Sequence, residues 1–491
     1  MIRGFSALEV IIALAVLSTA LIAVTLLTLG APYILQNARD HAEALSLAQT
    51  LLAEAQHEAE DSFGSIASSS TTAGVAFDVH LGSRLLSDEL TKHLTATVSW
   101  PDAWGNQKRL ALESVVTDYE HATDYPCDSI PSGDWHNPVA KTSTLEGGDL
   151  LPGMDTYPIG SMTTTRNLLA LTSTSTKTVG QPSLFVFEYE NGLPAFRSML
   201  STSSTTAAVA DIALAGEHAY LASASACAKL ASCGQLQIID LSTPTIPAFA
   251  SRLLLPALTP PYAGDASGPV AAKSIYYRDG FIYLGLEETP TSVGMEFNII
   301  DAHDPRNPIW KGGYRTGRTI NDILVREGRA FIASNARGVA DVLVLDITDP
   351  ADIQELARIA LPPLQATSRF GYAHGIAVSG SVLHIVRSYI SNADEWYLVD
   401  LDSPAFPIIE SKNVGTLLNR RSARGIIVRD TLSALLTNKD LEIWDTSGDS
   451  QSMVSSLSIP GEVVSFLCVR NSFYVASLET GIGKLTRIDP L

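Results

Sequence analysis

Signatures of catalysis are missing from this sequence. It has no G-x-S-x-G elbow, no H-E-x-x-H, no P-loop and no dinucleotide fingerprint, so the familiar hydrolase, metalloprotease and nucleotide chemistries have no local anchor. Cysteine is scarce, with four in 491 residues. They form no C-x-x-C and no Cys/His cluster at zinc spacing. Cys227 and Cys233 are close enough in CAKLASC to close a short loop as a disulfide in an oxidising compartment. Cys127 and Cys468 lie far apart and could pair only if their domains touch. Positive charge is also scarce: 33 Lys and Arg face 52 Asp and Glu, a net charge of -19. That excludes nucleic-acid binding through a basic surface and suits a soluble body exposed outside a cell. With 46% hydrophobic and 17% charged residues the chain can bury a large core.

The N-terminus, by contrast, is rich in apolar residues. From Phe5 to Gly30 the one charged residue is Glu9. At about 1.5 Å per residue such a run spans a bilayer as a helix, with Arg3 inside and the body outside. On that reading the chain is a single-pass protein of the cytoplasmic membrane. A carboxylate within such a span costs about 2.5–3.5 kcal/mol, so Glu9 requires a partner.

Gly4-Phe5-Ser6-Ala7-Leu8-Glu9 followed by an apolar helix resembles the class III signal of type IV pilins and type II secretion pseudopilins. The resemblance implies cleavage by a prepilin peptidase after Gly4 and methylation of Phe5. Glu9 becomes the fifth mature residue, paired with the terminal amine of a neighbouring subunit. Pairing offsets both desolvation costs and sets the register of assembly. Pro32 should kink or locally melt the continuing helix. Ile34, Ala38, His41, Leu45, Ala48, Leu52, Ala55 and Ala59 make one face of it. Residues 65–74 read as a polar loop, and LTATVSW with KRLALESVV reads as a β-hairpin. The domains expected are a leader (1–4), a transmembrane helix (5–30), a small α+β pilin-like domain (31–120) and a Pro/Asp/Ser-rich linker (121–150).

From residue 151 to 491 one unit recurs. LQIID, FNIID, VLVLD and WYLVD are β-branched strands ending in Asp240, Asp301, Asp346 and Asp400, each with a proline four residues on. Hairpins precede them, with turns such as Asp279-Gly280 and Glu327-Gly328. The spacing of about 45 to 60 residues, with four strand-like segments per unit, is that of β-propeller blades. We count seven copies, the last short of its fourth strand, which a segment near residues 145 to 160 is placed to supply. The repeats resemble the LVIVD-repeat propellers. The expected fold is therefore mixed: a long N-terminal transmembrane pilin helix, a small α+β domain and an all-β propeller. Asp-x-x-x-Pro suits a turn in which the carboxylate accepts backbone N–H groups. DAHDPRN lacks the spacing of a calcium loop; calcium is the one cofactor considered, and no metal site is assigned.

Asp211, Lys273, Asp322, His374 and Arg424 stand just before or at the start of the inner strands, where they would line one end of the central channel and hold a polar ligand. They form no recognisable catalytic set, so the chain is not expected to be an enzyme. The function expected is that of a minor pilin or pseudopilin, joined to other pilins through its helix in a pilus-like fibre. It displays the propeller, at the tip, to a surface, a glycan or a protein. The alternatives are a secretion pseudopilin whose propeller engages cargo or assembly partners and, behind it, an enzyme carried on a fibre.

Overall fold

The computed structural model describes residues 7–61, 68–73, 77–85, 91–102, 105–117, 127, 132–143, 159–165, 167–173, 183–190, 193–200, 209–223, 234–255, 271–288, 295–335, 340–362, 372–388, 394–414, 423–429, 431–446, 451–479 and 482–491. The chain divides into two units, Met1–Glu120 and His121–Leu491.

The first unit is one helix, α1 (Ala7–Asp61), with a sheet of four antiparallel strands in sequential order: β1 (Ser69–Ala73), β2 (Phe77–Leu85), β3 (Thr91–Pro101) and β4 (Gln107–Thr117). Strand β3 alternates strictly, with Leu94, Ala96, Val98 and Trp100 buried and the residues between them half-exposed. Its buried row packs against Ala44, Ala48, Leu52 and Ala55 of α1. The buried helical face includes Ala48, Leu52 and Ala55 as expected, with His41 edge-on to Trp100 at 5.3 Å, but Ala44 is buried where Leu45, 39% exposed, was expected. Small alanines let the helix approach the sheet, and the larger leucines flank the contact. The stretch read as a polar loop holds β1, an edge strand whose Ser and Thr residues pair by backbone with β2. Helix α1 continues through Pro32 without a break.

The expected fold class and localisation need correction. Among the described residues no helix is long and apolar enough to cross a membrane, so the transmembrane helix and the single-pass placement built on it are withdrawn. The structure is dominated by four-stranded antiparallel sheets, eight among the described residues.

Seven of those sheets make up the second unit, a β-propeller. Its blades, numbered along the chain, have inner strands Ile159–Thr164, Val209–Ala215, Ala272–Arg278, Thr319–Arg326, Ala373–Ser379, Ala423–Arg429 and Glu462–Val469. Each inner strand lies beside those of the neighbouring blades, and the seventh lies beside the first. In blade 2 the second strand, His218–Ser223, is buried at every position but its first, whereas the outermost, Ala248–Leu253, is largely exposed. Middle strands are covered on both faces by adjacent blades, which is why they read as unbroken apolar runs. One such interface packs Tyr220 and Ile238 of blade 2 with Ile282, Leu284 and Ile300 of blade 3.

The ring closes from within the segment read as a linker. Strand β5 (Val139–Ser143) pairs with Ile482–Asp489 as the fourth strand of blade 7, upstream of the expected stretch. Residues before β5 extend the closure. The Asp134 and Leu491 backbones exchange N–H···O bonds of 2.8 and 3.2 Å, and Ser132 and Asn471 are bonded to each other. Cys127 is disulfide-bonded to Cys468, with Cα atoms 5.4 Å apart.

The repeated aspartates build turns. Asp240, Asp301, Asp346 and Asp400 each accept the backbone N–H two residues on, at 2.9 to 3.2 Å. The carbonyl of the proline that follows reaches the preceding blade: Ser198 donates to Pro244 and Ser251 to Pro305, each at 2.5 Å. These bonds tie the outer strand of one blade to the turn before the outer strand of the next. Ser251→Ala should lower the unfolding free energy by about 0.5–1.5 kcal/mol, read from urea denaturation. No change would remove this clasp from the account of blade cohesion.

Candidate functional site

The inner strands share one irregularity. In each blade the pairing of the inner strand with the second strand slips just after its start, between Ile159 and Met162, Val209 and Asp211, Ala272 and Ser274, Ile320 and Asp322, Ala373 and Gly375, Ala423 and Gly425, and Val463 and Ser465. A bulge of this kind adds a residue and re-aims side chains. The recurring slip defines two tiers at one end of the ring. The bulged residues are Ala210, Lys273, Asn321, His374, Arg424 and Val464, and in blade 1, where the slip spans Gly160 and Ser161, Gly160 holds the equivalent place. Those after them are Ser161, Asp211, Ser274, Asp322, Gly375, Gly425 and Ser465.

The second tier joins blades. Asp211 accepts the N–H of Ile212 at 2.9 Å, that of Ile275 in the next blade at 3.0 Å and the hydroxyl of Ser161 in the previous blade at 2.7 Å. Asp322 repeats the pattern, accepting from Ile323 and from Ile376 of the next blade, both at 2.9 Å. Ser274 donates to the carbonyl of Ile320 at 3.3 Å. In blades 5 and 6 the position is glycine because the next blade is too close for a side chain. A Cβ on Gly375 would stand 3.1 Å from Gly425 Cα, and one on Gly425 would stand 2.8 Å from Phe466. Burial raises the pKa of both aspartates; Asp322 is pushed up to about 7, with the Asp211 charge adding to the effect.

The bulged tier is different. Lys273 and Arg424 are exposed and His374 is half-buried. Burial, with the charges of Arg424 and Lys273, pushes the His374 imidazole down to about 4, so it is neutral near pH 7. Arg424 makes an exposed ion pair with Glu462 at 3.3 Å, of a kind worth about 0–1 kcal/mol. The Asn321 amide donates to the carbonyl of Ala373 at 2.7 Å and to the side chain of Asn335.

The five residues expected to share one ring thus divide: Lys273, His374 and Arg424 stand in the bulged tier, and Asp211 and Asp322 in the joining tier. Sequence reading missed Ser161, Ser274 and the two glycines, which an alignment of the seven inner strands on their bulges brings out. Gly4, Phe5, the side chain of Glu9, and Cys227 and Cys233 lie outside the described residues. Among the described residues no group of three or more His, Cys, Asp or Glu could hold a metal ion.

A model of the LVIVD repeat matches residues 208–254, the span of blade 2. No curated protein matches the chain. Similar solved structures include a catalytically inactive virginiamycin B lyase from Staphylococcus aureus with quinupristin (12% identity, covering 72% of this chain and 100% of that one, TM-score 0.47). Others are a periplasmic gluconolactonase from Pseudomonas aeruginosa (11%, 66% and 96%, 0.46) and a protein from Lactobacillus plantarum (10%, 66% and 99%, 0.46). Likeness at this level carries no functional argument. Two of the three are named as enzymes, and the expectation that this chain is not one gains no support from them.

Proposed function

We propose that the chain is a recognition protein, in which the propeller engages a ligand at its bulged rim and the N-terminal unit joins an assembly as minor pilins and pseudopilins do. The observation that carries this reading is the division along α1. Its C-terminal part buries Ala44, Ala48, Leu52 and Ala55 on the sheet. Near its other end Leu14, Val16 and Leu17 are 60–64% exposed. Apolar side chains so exposed mark a surface for contact with other chains. Glu9 and the Gly4-Phe5 junction complete the assembly part of the proposal.

The test is chemical and functional. Mass spectrometry of the protein from cells that make it should find a mature chain starting at methylated Phe5, and Glu9→Ala should be processed but recovered several-fold less in fibres. A mature chain starting elsewhere, or normal recovery of Glu9→Ala, would sink the pilin-like part. Loss of secretion with attachment intact would replace display by a role in a secretion apparatus.

A further inference from the structure

The bulged tier is one-signed. Of its seven residues, Gly160, Ala210, Asn321 and Val464 do not ionise, and the three that do are Lys273, His374 and Arg424. No carboxylate occupies a bulge, in a chain with a net charge of -19. Of the acids on the inner strands, Asp211 and Asp322 have both oxygens engaged by backbone N–H groups and so hold blades together, and Glu462, which begins the seventh, pairs with Arg424.

We propose that this rim binds an anionic group, the carboxylate, phosphate or sulfate of a ligand, with Lys273 and Arg424 supplying charge and His374 a hydrogen-bonding ring. Arg424 offers a planar fork suited to two oxygens of one such group. Its present partner, Glu462, is 66% exposed and shows what kind of group it takes. An entering anion displaces that carboxylate at little cost, because both side chains are solvated. Lys273 makes no ion pair among the described residues and feels Asp211 only as a neighbouring charge. Glu287 and Glu288 follow the second strand of blade 3, one strand outward from the bulged tier.

The inference rests on reading the propeller as the recognition head. The experiment is calorimetric titration of the full-length protein with tetragalacturonate, inorganic phosphate and neutral maltotetraose. Tetragalacturonate or phosphate should bind, more weakly as salt rises, and maltotetraose should not. The first two separate a saccharide carboxylate from a free oxyanion. A Lys273→Gln/Arg424→Gln variant should bind the anionic probe at least about tenfold more weakly. Lys273→Arg, which keeps the charge, should retain affinity, so that loss through misfolding is recognised. Binding of neither anionic probe, or unchanged binding by the double variant, overturns the proposal.

Attachment scored on the same strains separates the two readings. Probe binding abolished with attachment intact overturns the recognition reading and keeps the site. Attachment abolished in the double variant, with neither anionic probe bound by the wild type, overturns the anionic class and keeps recognition.

Discussion

Trp135→Ala is expected to lower the unfolding free energy of the propeller by about 3–5 kcal/mol, the range for removing a large buried aromatic side chain. Trp135 lies in the segment that precedes blade 1, yet it is 4% exposed and packs edge-on against Phe473 of blade 7 at 5.2 Å. It belongs to the apolar cluster of blades 6 and 7 with Leu436, Ile443, Val475 and Ile488, and its carbonyl accepts the Ser455 hydroxyl at 2.9 Å. Ring closure by β5 adds strand hydrogen bonds, and the tryptophan adds a large buried apolar side chain. Urea denaturation of the full-length protein measures the effect. A loss below about 1 kcal/mol would mean that backbone pairing and the Cys127–Cys468 disulfide hold the seventh blade without it.

Asp322→Ala should destabilise by about 2–4 kcal/mol, because it leaves the N–H groups of Ile323 and Ile376 without their acceptor at a crowded junction between blades. Its pH dependence runs against the usual sense for an acid. Burial raises the folded-state pKa of Asp322 from 3.8 to about 7. The folded protein therefore holds a proton that the unfolded chain releases between those values. Stability from Asp322 is fully present below about pH 4 and is lost as pH rises through about 7. The difference in stability between wild type and variant should accordingly be larger at pH 5 than at pH 8. A difference that grows with pH would show that the carboxylate is charged in the folded state and held by its two N–H partners alone.

Legibility differed from element to element. The LVIVD strands were plain because a strand covered on both faces must be apolar at every position, and a turn must follow where it ends. Their aspartates could be assigned to turns from spacing, since a carboxylate two residues before a backbone N–H reaches it without help from the rest of the fold. Strand β3 was legible through its alternation. The helical face was legible at Ala48, Leu52 and Ala55 and missed at one position, Ala44, because alanine serves equally on a surface and in a close helix–sheet contact. The apolar N-terminal run suggested a membrane span, a reading that hydropathy alone favours and that the described helix does not sustain.

The candidate site illustrates the same division. Lys273, His374 and Arg424 were found from their place before an inner strand, and Asp211 and Asp322 were grouped with them because sequence does not record a bulge. A one-residue slip moves a side chain from the channel rim to the junction between blades, and pairing with the second strand alone reveals where the slip falls. Closure of the ring was hidden for a related reason: β5 and Trp135 find their partners more than 300 residues away, beyond any local pattern. By itself the sequence determined the repeat, the strand order within a blade and the turn chemistry, all of which depend on neighbours a few residues apart. The tertiary structure decided which polar residues join blades, which face the rim and which segment locks the circle, because those roles depend on contacts that exist once the seven sheets are packed.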